Sequence, residues 1–141
     1  MALVQRETDY ALRALARLAA EEDFVAVSAL AEREDVPEKF LRKIMQGLQR
    51  AGLVESRQGS LGGYRLAVPA YQVTLLGVME TVQGPLVVNE CFAQPEICQR
   101  VAHCPLRRRM EELQARVCRM LDEVCLSDLA SETLSREGTA T

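Results

Sequence analysis

Three cysteines, Cys91, Cys98 and Cys104, fall within 14 residues of one another in the stretch Cys91-Phe-Ala-Gln-Pro-Glu-Ile-Cys98-Gln-Arg-Val-Ala-His-Cys104-Pro105. The stretch is too short and too interrupted by proline to be core. In a reducing compartment, thiols grouped in a loop point to metal binding or redox chemistry rather than to packing. Zinc would take His103, the single histidine, as its fourth ligand. Structural zinc sites, however, favour gaps of about two to four residues within a ligand pair, and adjacent His103 and Cys104 converge awkwardly on one ion. An iron-sulfur cluster is larger, so wider gaps can wrap it and thiolates satisfy its irons. A bare thiol redox sensor is the third chemistry open to the segment. Cys118 and Cys125 are different: they stand beside Val117 and Val124 on a helical pattern and read as small buried or interfacial hydrophobes.

The elements that must position these thiols belong to a chain of 141 residues, 48% hydrophobic, with 17 Lys and Arg against 20 Asp and Glu and a net charge of -3. That length bounds the chain to one main domain with at most a small extension. No apolar run of about 18 residues or more is present, and the N-terminus MALVQRETDY carries charges where a signal peptide needs its apolar core. A cytoplasmic protein with no membrane partner is expected. A single His, no phosphate-binding glycine motif and no legible nucleophile-base arrangement argue against an enzyme.

Mild acidity speaks against nucleic acid only as an average. Both lysines, Lys39 and Lys43, lie with Arg42, Arg50, Arg57 and Arg65 in residues 36–65, where only Glu38 and Glu55 oppose them. A local charge of +4 therefore sits in a remainder of -7. On charge alone this could be a solvated helix face. The local pattern argues otherwise.

Leu12, Leu15, Leu18 and Ala19 recur at helical spacing after a cap at Thr8 or Asp9, and the Glu21-Glu22-Asp23 run ends that helix. Ser28 is expected to cap a short second helix reaching Glu34. A third runs from about Pro37 to Ala51, started by proline and acid and stopped by Gly52. Phe40, Leu41, Ile44, Met45 and Leu48 form its apolar stripe, leaving Lys39, Arg42, Lys43, Gln46, Gln49 and Arg50 on the polar face. Cations and amides are the side chains that hold phosphates and read guanine or adenine edges. Two strand-like runs, 53–56 and 64–67, then flank a hairpin with three glycines that carries Arg57, and Arg65 follows it. Three helices and a basic wing are the order of a winged helix-turn-helix whose third helix enters a major groove. The fold class expected is mainly α with a small β-hairpin wing.

Residues 73–82 read as a short apolar helix. Residues 107–126 read as a long one with Met110, Leu113, Val117, Met120, Leu121 and Val124 at coiled-coil-like spacing. That stripe implies a homodimer joined through this helix, giving DNA binding two half-sites; the alternative is a helix folded back on its own wing domain. The expected organisation is a DNA-binding unit over residues 1–70, dimerisation helices with the cysteine loop over 71–130, and a polar, mobile tail over 131–141.

These motifs resemble the IscR/NsrR-type winged-helix regulators, bacterial transcription factors that carry iron-sulfur clusters. The resemblance runs from Thr8-Asp9-Tyr10-Ala11-Leu12-Arg13 through Val36-Pro37-Glu38-Lys39-Phe40-Leu41, Leu48-Gln49-Arg50-Ala51-Gly52-Leu53-Val54 and Gly59-Ser60-Leu61-Gly62-Gly63-Tyr64-Arg65-Leu66-Ala67 to Leu126-Ser127-Asp128-Leu129-Ala130. It implies a homodimer on a pseudopalindromic double-stranded DNA operator. Lys39, Arg42, Lys43 and Gln46 would face the major groove, and Arg57, Ser60 and Arg65 would face the neighbouring backbone or minor groove; Ser28 and Arg50 are expected as further DNA-binding residues. It also implies that Cys91, Cys98 and Cys104 hold the cluster. Where IscR-like proteins place a ligating His three residues after the third Cys, this chain has Arg107, which cannot ligate. Asp9 matches the Asp by which NsrR-like proteins complete a 4Fe-4S cluster from the partner subunit. The first cysteine gap is one residue longer than in those relatives, and a 2Fe-2S cluster stays open.

The expected function is a transcription repressor sensing nitric oxide, redox or iron status. A thiol- or zinc-based regulator, and a winged-helix adaptor that binds a metabolic enzyme, are the alternatives.

Overall fold

The spacing of Ala11, Ala14, Leu15 and Leu18 places four side chains on one face of the first helix, and in the computed structural model, which describes residues 2–139, all four are buried. Helix α1 (Arg6–Ala19) is the post around which the chain is built. Helix α2 (Val27–Glu34) contributes Leu30 and Ala31, and α3 (Glu38–Arg50) contributes Leu41, Met45 and Leu48. Strand β1 (Val54–Arg57) pairs antiparallel with β2 (Gly63–Leu66) in the register Val54 to Leu66 and Glu55 to Arg65. Period-two alternation turns Val54, Tyr64 and Leu66 to the helices and Glu55, Arg57 and Arg65 to the other face.

Helix α4 (Leu75–Gln83) follows, capped by Thr74, whose hydroxyl accepts the Gly77 N–H at 3.0 Å. A one-turn helix α5 (Glu90–Ala93) lies in the cysteine segment, then come α6 (Pro105–Asp122) and α7 (Leu126–Thr139). Cys125 occupies the cap position of α7. Asp128, three residues on, reaches back to accept the Cys125 N–H at 3.0 Å, a bond that lowers its carboxyl pKa. The starts of α4 and α7 are laced together by Leu75 N–H to Val124 O at 2.8 Å and Leu126 N–H to Val73 O at 2.9 Å.

Four local expectations change. Helix α1 begins two residues before Thr8, so neither Thr8 nor Asp9 caps it: Thr8 is fully buried and donates its hydroxyl to Gln83 Oε1 at 2.6 Å, and Asp9 pairs with Arg13 at 2.6 Å. Helix α2 starts at Val27 without a side-chain cap, leaving Ser28 exposed in its first turn. The long helix is broken after Asp122, which puts Cys125 in a connection rather than on the same helix as Cys118. The polar residues from Ser131 are helical through Thr139 where a mobile tail over 131–141 is expected; residues 140 and 141 lie outside the described residues. Helix α7 packs along α1, where Arg17 donates to Glu34 at 2.8 Å and to Glu137 at 2.5 Å.

The core is continuous across residue 70, since Val73, Val78 and Leu126 lie in one cluster with Leu15, Leu30 and Leu41. Helix α6 differs from every other long helix: none of its residues is buried, and Leu106, Leu113 and Met120 are exposed along one stripe. No helix among the described residues is long and apolar enough to cross a membrane.

Candidate nucleic-acid interface and cysteine loop

Helix α3 buries Leu41, Met45 and Leu48, so its opposite side is the one left to solvent, and Lys39, Arg42, Lys43, Gln46, Gln49 and Arg50 are all exposed there. The structure divides this face in two. Arg42, Gln46 and Gln49 line a cleft of about 450 Å³ with Ser28 of α2 and Arg57 of the wing. Lys39, Lys43 and Arg50 border a larger groove, about 1030 Å³, shared with Arg6 and Tyr10 of α1 and Val82 of α4. Phe40, expected on the buried stripe, is 56% exposed in that groove.

The cleft gathers a hydroxyl, two amides and two guanidiniums between a helix start, a helix face and a hairpin, a donor-rich set suited to phosphates and base edges. Gln49 donates to Ser56 Oγ at 2.9 Å, tying α3 to the wing. Arg42 is paired with Glu38 one turn earlier at 2.5 Å; both are solvent-exposed, so the pair contributes only a few tenths of a kcal/mol and yields readily to a base or phosphate.

The wing arginines are more engaged than their sequence positions suggest. Arg65 pairs with Glu55 at 2.5 Å, and Arg57 donates to the Leu61 carbonyl at 2.7 Å. Ser60 is exposed in the turn between the strands. Sequence reasoning assigned no role to Phe24, against which both guanidiniums stack.

The three thiols of the cysteine loop are half-buried and free of disulfides. Neither α5 nor the 3-10 turn Pro95–Ile97 buries any residue. The loop is anchored at its base by Arg107, which donates to the Cys91 carbonyl at 2.9 Å, lies 4.9 Å from the Phe92 ring centroid and pairs with Glu111 at 3.1 Å. Among the described residues, no three His, Cys, Asp or Glu side chains of the single chain stand together as a metal-binding group. Asp9 lies on the first turns of α1, its side chain 45% exposed.

Residues 4–132 match the Rrf2 family, described as an iron-dependent transcriptional regulator. The chain belongs to the Rrf2 family. Among its relatives, protein aau3 of Rhizobium meliloti is 36% identical over 126 residues, 88% of this chain and 82% of that one. The HTH-type transcriptional regulator NsrR of Geobacillus kaustophilus is 32% identical over 131 residues, 91% of this chain and 89% of the relative. Among solved structures, T. potens IscR superimposes with a TM-score of 0.75 at 23% identity, covering 92% of this chain and 87% of that one, which shows the shared fold. This Rrf2 chain is accordingly a DNA-binding transcriptional regulator and not an enzyme.

Proposed function

We propose that this Rrf2 regulator is a homodimeric repressor that binds a pseudopalindromic operator and couples its affinity to an iron-sulfur cluster held by Cys91, Cys98 and Cys104. The observation that carries the reading is the convergence of Ser28, Arg42, Gln46, Gln49 and Arg57 on one cleft, in a fold whose cysteine loop keeps three free thiols outside the core.

Dimer formation is supported by α6. Its apolar residues Leu106, Met110, Leu113, Val117 and Met120 alternate at spacings of four and three, the pattern of a helix that buries a seam against a second helix. Leu106, Leu113 and Met120 are respectively 58%, 46% and 69% exposed in the single chain, so the seam awaits a partner. A second copy would also supply two recognition helices for two half-sites.

The donor set fits a cluster chemically. Thiolates are the ligands iron-sulfur clusters take, and a loop with no buried residue can rearrange around one with little loss of packing. When bound, the cluster supplies a centre that reacts with nitric oxide or oxygen and is lost when iron is scarce. Asp9 is the proposed fourth ligand, donated to the partner's cluster. It sits beside Thr8, whose hydroxyl is bound to Gln83 at the end of α4, so the backbone of α1 that carries Asp9 is tied to α4. Through Asp9 the sensing loop of one protomer would bear on the DNA-binding unit of the other. A relative shift of the two recognition helices costing about 3 kcal/mol would lower operator affinity about a hundredfold.

Anaerobic purification with iron and sulfide analysis tests this directly. A brown protein with both near stoichiometric, bleached by nitric oxide with a parallel change in DNA binding, is the expected result; a colourless protein containing zinc, or one without metal, overturns it in favour of a zinc or thiol sensor. Asp9→Ala is expected to alter cluster absorbance and DNA binding while leaving the fold intact, since the Arg13 pair it removes is worth only a few tenths of a kcal/mol. If both readouts match the wild type, Asp9 is not a ligand.

Arg42 is the proposed base reader. Arg42→Ala is expected to weaken binding to an operator recovered by selection from random duplexes about tenfold or more, and to weaken binding to mixed-sequence DNA much less. Equal losses on both would make Arg42 a phosphate contact.

A further inference from the structure

Phe24 lies in the loop between α1 and α2, far in sequence from the wing, yet its ring is faced by two wing guanidiniums. The Arg57 carbon Cζ is 4.3 Å from the ring centroid and that of Arg65 is 4.4 Å away. Both distances are well inside the roughly 6 Å within which a cation gains from an aromatic ring's quadrupole. The register explains the convergence: Arg65 pairs across the hairpin with Glu55, and Arg57 follows Glu55 by two residues, so all three side chains share one face of the two-stranded ribbon.

Two like charges brought to one ring repel each other. Glu55 at 2.5 Å from Arg65 and Asp23 at 3.6 Å from Arg57 offset that repulsion, and the ring supplies negative potential to both cations. The ring is itself held in place. Val25, the next residue, exchanges backbone hydrogen bonds with Tyr64, its N–H reaching Tyr64 O at 2.9 Å and its carbonyl accepting the Tyr64 N–H at 2.8 Å. Phe24 is thus fixed to the hairpin by backbone on one side and by two cations on the other.

We propose that Phe24 is a positioning residue for DNA binding: its ring clamps Arg57 and Arg65 and presents Arg57 at the rim of the cleft shared by α2, α3 and the wing. An unrestrained arginine loses rotamer freedom when it engages a phosphate, and a stacked one has already lost most of it. The hydrogen bond of Arg57 to the Leu61 carbonyl holds the wing turn by the same side chain. Arg65, neutralised by Glu55, serves as the second cation on the ring rather than as a phosphate contact. The inference rests on the wing facing DNA.

Three full-length variants, Phe24→Ala, Phe24→Leu and Phe24→Tyr, test it. Binding to a fluorescein-labelled mixed-sequence duplex of about three helical turns is followed by anisotropy across a salt series. Side-chain Nε–H resonances of Arg57 and Arg65 are recorded by NMR on the free protein. Leucine keeps the apolar volume and lacks the π face, so Phe24→Leu should fold and melt close to the wild type. It should nevertheless bind about tenfold more weakly, with a salt slope shallower by about one. Phe24→Ala should lose at least as much, and Phe24→Tyr should retain wild-type affinity. Ring-current upfield shifts of both Nε–H signals are expected in the wild type and the tyrosine variant and absent with leucine.

Wild-type binding by Phe24→Leu, weak binding by Phe24→Tyr, or unshifted arginine signals in the wild type would each overturn the proposal. Upfield-shifted arginines in a wild-type chain that binds no duplex even at low salt would establish the clamp and overturn its role in DNA binding.

Discussion

Gly63→Ala is expected to cost about 3 kcal/mol or more in urea unfolding, or to fold only with the wing displaced. Gly63 has φ of +143°, a backbone region that residues with a Cβ rarely enter, and a Cβ built there would stand 2.2 Å from the Val25 carbonyl oxygen and 2.6 Å from the Ala26 nitrogen. Those atoms are backbone, so no side-chain rotation relieves the clash. The two hydrogen bonds between Val25 and Tyr64 would have to lengthen or break, releasing the hairpin from the α1–α2 loop and with it the side of the cleft that carries Arg57. Gly59→Ala is the matched control. Its φ of +104° is also unfavourable for alanine, but nothing lies within 4 Å of the added carbon, so only a conformational cost of about 1 to 2 kcal/mol is expected. Equal unfolding free energies for the two variants would show that the close approach at Val25 contributes nothing.

Arg17→Met is expected to destabilise the chain by about 3 kcal/mol, with the loss concentrated at the junction of α1, α2 and α7. The Arg17 side chain is 13% exposed and that of Glu34 16%, so removing the cation strands a largely desolvated carboxylate at the end of α2. The guanidinium pKa is raised by the hydrogen bonds to Glu34 and Glu137, the direction expected of a cation whose charged form its surroundings favour. The Glu137 half of the network is more exposed, at 55%, and Glu137→Ala should cost only a few tenths of a kcal/mol. Arg17→Met combined with Glu34→Met should recover most of the loss, because no charge is then left unpaired. If the double variant is no more stable than Arg17→Met, the cost lies in packing of the methionine and not in the stranded carboxylate.

Much of the winged-helix half was legible in the sequence because its signals are local. Helix α3 declares itself by Pro37, an apolar residue every three or four positions and Gly52, which adopts the left-handed conformation that stops it. The hairpin declares itself by its glycines, and the two strands formed close to where alternation and turn chemistry put them. The failures were local choices overruled by distant partners. Thr8 has the side chain of a helix cap, but Gln83 offers its hydroxyl a buried acceptor, and burying Thr8 lets α1 start earlier. The residues after Ser131 have the composition of a tail, yet α7 is held against α1 by Leu126, Ala130 and the Arg17 pair with Glu137.

By itself the sequence determined the order of the first three helices and the hairpin, the basic island within an acidic chain, the three-thiol loop and the apolar stripe along α6, because each depends on residues within a few turns of one another. Only the tertiary structure decided how the cations are shared out. Arg42 faces the wing cleft while Lys39, Lys43 and Arg50 border another groove, a distinction set by the side of α3 against which the hairpin lands. Arg65 is held by Glu55 and Phe24, and Phe24 acquires a role, because folding brings the α1–α2 loop against a hairpin that pattern and charge along the chain do not connect to it.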